Sequence, residues 1–265
     1  MAGNPDVPRA AMPESPEGTP ITIVIPCFDE EPVLENLARV LQELKAVFEP
    51  RYRVCYVLVD DGSKDGTWEL MQRLFSGWPH CSFCRHPRNR GIAAAIMTGL
   101  REARTEIVCS MDSDCTYDPR QLLPMLPMLR PGVDVVTASP YHPDGGVRGV
   151  PPWRLVLSRG LSRLYRLLLR HKLHTYTSCF RVYRRSRFLS LSLRHDGFLG
   201  VAEMLGRLDL AGGTIVECPA VLTSRVAGRS KMKTVRTIFG HLGLLAELTM
   251  ARLRPGTDRP GTRSA

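Results

Sequence analysis

The chain has 265 residues, 43% of them hydrophobic, with 36 Lys and Arg against 26 Asp and Glu for a formal net charge of +10. That length and apolar content allow one large domain or two small ones around a sizeable core, and they exclude wholesale disorder. The charge is uneven: residues 1–20 hold one Arg against three acids, residues 145–195 hold twelve Lys and Arg and no acid, and the remainder is neutral.

In chain order, residues 1–20 contain five prolines and read as a flexible leader. Order is expected from Ile21 to Ile25, a β-branched run typical of a buried strand. Glu31 to Phe48 has helical spacing, with Leu34, Leu37, Leu41, Leu44 and Phe48 on one face. Arg53–Val59 reads as a strand ending in Asp60-Asp61-Gly62-Ser63, followed by a helix from Asp65 to Phe75. Cys81–Arg85 is a third strand, Gly91–Ala103 a helix, and Glu106–Met111 a fourth strand ending at Asp112-Ser113-Asp114. Pro119–Leu129 reads as a helix and Val133–Ala138 as a fifth strand. Pro151-Pro152 opens an expected helix from Trp153 to Leu173, and Thr214–Glu217 reads as a further strand. The β-α-β-α-β rhythm predicts an α/β fold, a largely parallel sheet with helices on both faces.

Several classes fall away. No G-x-G-x-x-G follows the first strand and no P-loop is present, which argues against a dinucleotide-dependent oxidoreductase or a P-loop ATPase. No secretory signal and no run of about 18 apolar residues is found. The eight cysteines sit singly, as suits free thiols in a reducing cytoplasm. Cys81-x-x-Cys84 with His86 lacks a second ligand pair and reads as plain strand residues rather than half a zinc site.

Ligands of open α/β sheets bind beyond the carboxyl ends of the strands, and the chemically loaded residues here sit at those ends. Asp112 and Asp114, two apart at a strand end, can aim two carboxylates into one crevice. They stay ionised together beside a hard cation such as Mg²⁺ or Mn²⁺ shared with a diphosphate. The plain alternative is a polar turn. Asp60-Asp61-Gly62-Ser63-Lys64-Asp65-Gly66-Thr67 suits a turn and helix cap. The acidic pair itself calls for donors, which a nucleotide base or ribose offers. In the basic block Arg159, Arg163, Arg166 and Arg170 recur at intervals that place them on one helix face. Such a basic amphipathic helix suits an anionic membrane or a partner. Arg225-x-x-Gly228-x-Ser230-Lys231-x-Lys233 is a loop able to wrap phosphate.

Together these segments resemble glycosyltransferase family 2 and, within it, the dolichol-phosphate mannosyltransferase group. Ile23-Val-Ile-Pro-Cys-Phe-Asp-Glu-Glu31 is similar to the opening strand and its P-x-Y-N-E turn. Val59-Asp-Asp-Gly-Ser-Lys-Asp-Gly-Thr67 is close to a family copy. Asn89-Arg-Gly-Ile-Ala-Ala-Ala95 is similar to the N-x-G-x-x-x-A helix start, and Met111-Asp-Ser-Asp-Cys-Thr-Tyr-Asp-Pro119 to the M-D-A-D-L-Q-H-P metal segment. Gly145-Gly146, Trp153-Arg154, Ser158, Thr177–Arg181 and the Arg225–Lys231 loop follow the group's spacing. The resemblance covers residues 21–233.

It implies a GT-A fold over 21–234, with residues 235–265 forming an amphipathic segment and basic tail. It implies inverting transfer of a hexose, foremost mannose from GDP-mannose with another UDP-hexose open, to a polyprenyl phosphate. By the same resemblance Pro26, Phe28, Glu30, Asp60, Asp61 and Gly91 bind the nucleotide sugar, Gly91 by close backbone approach. Asp112, Asp114 and Thr116 take Mg²⁺ or Mn²⁺. Arg154 and Ser158 meet the acceptor phosphate, and Arg225 and Lys231 join Asp112 and Asp114 in catalysis. Thr116 replaces a usual Gln, Thr175 an Asp, Cys179 a Gly, Asp29 an Asn, and Pro140 an Arg. The implied setting is the cytoplasmic face of an anionic membrane, with a membrane-anchoring protein as a possible partner and no nucleic acid. Two alternatives stay open: transfer to a sugar hydroxyl with Asp196 or Glu203 as base, and, more remotely, a nucleic-acid-binding protein, which lacks interleaved aromatics.

Overall fold

The computed structural model describes residues 18–49, 51–149, 152–223 and 234–253, with the backbone path alone for 152–154 and 234–238. The expected leader, apart from its last three residues, and the tail beyond 253 lie outside the described residues. So do Arg225, Lys231 and the side chain of Arg154.

The first half follows the expected alternation. Strand β1 (Thr19–Cys27) leads through a 3-10 turn, Glu31–Val33, into helix α1 (Leu34–Phe48). Pro32 opens that turn, where its missing N–H costs nothing. Leu34, Leu37, Leu41, Leu44 and Phe48 are buried. Then come β2 (Tyr52–Asp60), α2 (Thr67–Phe75), β3 (Cys81–Arg85), α3 (Ile92–Glu102) and β4 (Ile107–Ser110).

Beyond β4 the chain departs from expectation in three places. The single helix expected over Pro119–Leu129 is broken into a 3-10 turn (Pro119–Gln121), the four-residue α4 (Leu122–Met125) and a second 3-10 turn (Leu126–Met128). Pro124 and Pro127 remove amide donors and clash with the preceding turn, so a regular helix cannot run through. After β5 (Val135–Ser139) and β6 (Gly146–Val147), helix α5 runs from Pro152 to Leu168 and stops short of Leu173. There the carboxylate of Asp209 accepts from the backbone N–H of Arg170 and His171, both at 3.0 Å. That claims two amides a longer helix would need. Next are β7 (Arg181–Arg184) and α6 (Arg185–Leu189), neither expected as an element, then α7 (Phe198–Leu210), β8 (Ile215–Pro219), β9 (Val221–Leu222) and α8 (Thr234–Leu253).

Among the described residues the main sheet has the order β3-β2-β1-β4-β7-β5-β8, and β7 is antiparallel to both neighbours in an otherwise parallel array. β6 and β9 form a small parallel ladder of their own. Ile21, Ile23 and Ile25 face a core completed by α1, α2 and α4; Val24, Val57 and Val59 face a second core under α3, α5, α7 and α8. Alternation along β1 therefore feeds two hydrophobic layers, as a sheet covered on both faces requires.

The basic block is not one anion-facing surface. Arg170 lies past the end of α5 and donates to the Gly213 carbonyl at 3.2 Å. Arg181 is fully buried and donates to the carbonyls of Val201 and Tyr176, both at 2.9 Å. Arg184 and Arg185 donate to the carbonyls of Val133 (3.2 Å) and Leu100 (2.7 Å). Arg187 pairs with Asp134 at 3.1 Å. These arginines join loops and helix ends, and the expected four-arginine face is reduced to exposed Arg159 and Arg163 with a half-buried Arg166.

Candidate active site

β1, β2 and β4 end side by side, and the turns that follow them meet. Cys27 pairs in register with Asp60, and Val24 with Ser110, so the residues after Cys27, Asp60 and Ser110 open on one edge. The turn after β1 is stitched to the turn after β2. Asp29 N donates to Ser63 Oγ (2.9 Å), Lys64 N to Asp29 Oδ1 (2.8 Å), and Glu30 N to Thr67 Oγ1 (2.8 Å). Asp29 sits at φ 49, in the left-handed region that Asp and Asn tolerate. This conformation accommodates Asp in place of the usual Asn. At the start of α2 the Glu31 carboxylate takes the Gly66 N–H (2.8 Å) and Asp65 Oδ1 takes the Thr67 N–H (3.1 Å), as the helix-cap reading of Asp65 expects.

The acidic pair at the end of β2 is largely satisfied by the protein. Asp61 Oδ1 accepts from His86 Nδ1 (2.6 Å) and Arg90 N (3.0 Å), and Oδ2 from Gly91 N (2.7 Å). Asp61 therefore fixes the Asn89–Gly91 turn, and the expectation that both carboxylates wait for a ligand's donors is corrected for this residue. Asp60 is fully buried; its Oδ1 accepts from Ser63 N at 3.0 Å. Its Oδ2 lies 3.0 Å from Arg85 Nε but has no aligned hydrogen bond. Asp60 lines neither of the cavities described below, and the nearby Arg85 guanidinium compensates the charge of its buried carboxylate. Arg85 also lies over the Trp68 ring, 5.2 Å from its centroid.

Gly91, at φ 114, is needed for packing within the protein. A Cβ there would stand 2.6 Å from Gly197 Cα and 2.7 Å from the Asp196 carbonyl oxygen. Gly62, at φ 73, is similarly confined by the backbone of Arg88 and Asn89. The close approach expected at Gly91 is thus to the start of α7. Asp196 O accepts from Ala94 N (2.9 Å), and Arg90 Nη2 reaches Asp196 Oδ2 at 3.4 Å.

Pro26, Phe28, Glu30, Asp61, Gly91 and Asp112 line a single cavity of about 150 Å³, with Ser113 and the start of α3 closing it. Asn89 joins it to a larger cavity of about 530 Å³ walled by Gly62, Lys64, Arg85, His86 and Arg88. Neither cavity is lined by Ser158, which lies partly buried on α5. Sequence reasoning missed Arg85 and Arg88 and weighed His86 only as a zinc ligand; their position at and just past the end of β3 is the one signal that could have marked them.

Asp112 and Asp114 follow β4, and Asp114 is almost fully buried, its Oδ1 accepting from Thr116 N at 3.1 Å. The Thr116 carbonyl accepts from both the backbone N–H and the hydroxyl of Thr223, each at 2.9 Å. Thr223 is the last described residue before the stretch that contains Arg225 and Lys231. Burial, aggravated by Asp114 and Asp112, pushes the Cys115 thiol up to about 12, so it is neutral and inert at physiological pH.

The donor set fits a hard divalent cation. It offers carboxylate oxygens and no sulfur or imidazole, and among the described residues no cluster of three or more ligating side chains exists. An incomplete oxygen cage leaves positions for phosphate and water, as Mg²⁺ and Mn²⁺ sites commonly do. Glu203, one of the two bases considered, is fully buried and bound by Arg207 Nε (3.0 Å) and the N–H groups of Arg194 and His195. It is a structural residue.

Comparison with known proteins follows the same lines. The model of glycosyl transferase family 2 matches residues 22–190. The dolichol-phosphate mannosyltransferase of Pyrococcus furiosus is 28% identical over 225 residues, 84% of this chain and 61% of that protein. The polyprenol monophosphomannose synthase of Mycolicibacterium smegmatis is 32% identical over 218 residues, 79% of this chain and 80% of that protein. The chain thus spans about three-fifths of the Pyrococcus relative's length. A mannosyltransferase from Pyrobaculum calidifontis, solved with GDP-Man and Mn²⁺, superposes with a TM-score of 0.60 at 20% identity, covering 96% of this chain and 70% of that one. That likeness concerns the fold, which is of the GT-A type. With the family model spanning both acidic turns and most of the sheet, the chain belongs to glycosyl transferase family 2.

Proposed function

We propose that the protein is an inverting, metal-dependent hexosyltransferase that moves mannose from GDP-mannose to a polyprenyl phosphate at the cytoplasmic face of a membrane. The observation that carries this is the shared cavity. Asp112, of the proposed metal pair, opens into the same small space as Pro26, Phe28, Glu30 and the Asp61-clamped Gly91 turn. The names of the Pyrococcus and Mycolicibacterium relatives support a lipid-phosphate acceptor, and the GDP-Man and Mn²⁺ held by the Pyrobaculum enzyme support the donor and metal.

The acceptor phosphate is already an anion at neutral pH. Its oxygen attacks the anomeric carbon without a general base, and the bond to the nucleoside diphosphate breaks on the opposite face. The protein's task is positioning and charge compensation. Asp60 and Asp61 shape the turns around the nucleotide, while Asp112 and Asp114 would hold the cation, with Thr116 beside them. A Mg²⁺ or Mn²⁺ ion held there would supply Lewis-acid stabilisation of the departing diphosphate. Arg225 and Lys231 contact phosphates; Arg154 and Ser158 meet the acceptor.

The test offers labelled nucleotide sugars, Mg²⁺ or Mn²⁺ and a polyprenyl phosphate, then counts label in the organic phase. Label there, lost with Asp114→Ala at unchanged melting temperature, is the expected result. No organic label with any donor, while a soluble sugar becomes labelled, would overturn the lipid acceptor. A second reading, transfer to a sugar hydroxyl, is favoured by one observation: Asp196 is exposed beside the Gly91 turn, where a base would be useful. Asp196→Ala abolishes transfer under that reading and spares transfer to lipid phosphate under the first.

A further inference from the structure

Glu203 is a buried charge that the proposed chemistry does not use. It sits on α7, is fully buried and lines neither cavity. A carboxylate in such a place is expensive unless its oxygens are met, and an apolar side chain would fill the space at less cost. Here the oxygens are met, and two of the three donors are backbone amides of one short segment. Oε2 accepts from Arg194 N (3.0 Å) and His195 N (2.9 Å), and Oε1 from Arg207 Nε (3.0 Å). The side chains of the same segment are held less closely. Glu247 lies 3.7 Å from Arg194 Nη1 and 3.5 Å from His195 Nε2, and among the described residues neither His195 Nε2 nor Glu247 Oε2 makes a hydrogen bond. Glu203 is therefore the anchor of this backbone.

The next two residues back the turn that lines the smaller cavity. The Asp196 carbonyl accepts from Ala94 N (2.9 Å), one of the first amides of α3, which no carbonyl inside that helix satisfies. The backbone of Asp196 and Gly197 leaves no room for a Cβ at Gly91, and Arg90 Nη2 reaches Asp196 Oδ2 at 3.4 Å. From the other side Asp61 takes the amides of Arg90 (3.0 Å) and Gly91 (2.7 Å). The Arg90–Gly91 turn is thus gripped twice, by Asp61 and by residues 194–197. The segment has no slack toward α3 either, since a Cβ at Gly200 would collide with the His195 carbonyl and with Cβ of Ala93. A displacement of residues 194–197 therefore shifts the start of α3 and, with it, the wall formed by Gly91, Ile92 and Ala95.

We infer that Glu203 is a positioning residue for the nucleotide-sugar cavity, acting through the backbone of residues 194–197 on the Arg90–Gly91 turn. This rests on the proposed donor for its purpose, but its first test needs no ligand. Hydrogen exchange is followed by mass spectrometry in the ligand-free full chain. In Glu203→Gln the new side-chain N–H₂ confronts Arg207 Nε, and the hold on residues 194 and 195 weakens. Peptides spanning 90–96 are expected to exchange at least about tenfold faster than in the wild type, with those of α1 and α2 unchanged. Adding Arg207→Gln gives that N–H₂ an acceptor and restores most of the protection. Where Glu203→Gln does not fold, Glu203→Asp, which keeps the charge but shortens the reach to the two amides, carries the same comparison. In the transfer assay KM for the nucleotide sugar is expected to rise about tenfold, while kcat and KM for the polyprenyl phosphate stay within about twofold.

Peptides over 90–96 that stay as protected as in the wild type overturn the positioning role. So does exchange that quickens equally in α1 and α2, or a rise in KM shared by donor and acceptor, since Glu203 then serves general stability alone. The two proposals fail separately. Unchanged exchange with intact transfer leaves the activity and removes the positioning role. Faster exchange confined to 90–96, with no transfer by the wild type from any donor, does the reverse.

Discussion

His241 joins α8 to α5, and its titration should be visible in stability. The side chain is 1% exposed, and burial, reinforced by nearby His195, lowers its pKa from 6.5 to about 4. The ring is therefore neutral, and the Tyr165 hydroxyl donates to Nδ1. His195 itself faces Glu247, so the charged groups around His241 from α7's leading segment and from α8 are accounted for. A histidine whose folded pKa lies below its unfolded value contributes nothing above the unfolded pKa, and its protonation destabilises the fold as pH falls from about 6.5 toward 4. Between pH 7.5 and pH 4.5 that shift amounts to about 2–3 kcal/mol, at ~1.4 kcal/mol for each pKa unit. Urea unfolding at the two pH values measures it, with His241→Gln as reference because Gln can accept from Tyr165 but cannot titrate. The wild type should lose about 2–3 kcal/mol more than the variant over this interval. Parallel losses in the two proteins would refute a neutral, buried His241.

Gly91→Ala should lower both stability and nucleotide affinity, because a Cβ meets rigid backbone of Asp196 and Gly197 on a residue already at φ 114; a cost of about 2 kcal/mol or more is expected in thermal unfolding. His86→Ala removes one of three donors to the buried Asp61 and its contact to Thr98 Oγ1 at 2.9 Å. It should cost about 1–3 kcal/mol and raise KM for the nucleotide sugar more than it lowers kcat. Cys115, with its thiol raised to about 12, should resist iodoacetamide at neutral pH in the folded protein and react after denaturation, as mass spectrometry of the modified peptides would show.

What the sequence disclosed and what it hid divide by range. β3 was legible to the residue, and the buried face of α1 was read position by position, because apolar periodicity is a local signal. Asp112 and Asp114 were legible as a strand-end pair for the same reason. The broken helix around α4 was equally readable from Pro124 and Pro127, and the periodicity of the leucines concealed it. β7 was not legible, since its first residue, Arg181, breaks the apolar pattern of a central strand. The clamp on Asp61 was hidden because its donors lie 25 to 30 residues away, at His86, Arg90 and Gly91. A like-charged pair looks unsatisfied in sequence whenever its partners arrive through the fold.

Arg181 shows why the net charge of a segment is a poor guide to its surface. A buried guanidinium is expensive unless its donors are met. Here Nη1 and Nη2 reach the Val201 and Tyr176 carbonyls, and Nε lies 3.4 Å from Thr137 Oγ1. The planar fork of Arg spans three segments at once, whereas the ammonium of Lys would not. β7 is the reversed strand inserted between β4 and β5, and Arg181 binds it to the loop before it, the strand beside it and the helix after it. Arg184 and Arg185 do the same for the ends of neighbouring elements. Three of the twelve cations between residues 145 and 195 thus hold an antiparallel strand within a parallel sheet. On α5 itself Arg159 and Arg163 are exposed and Arg166 is half-buried, so the block's total of twelve cations overstates the charge that this helix presents.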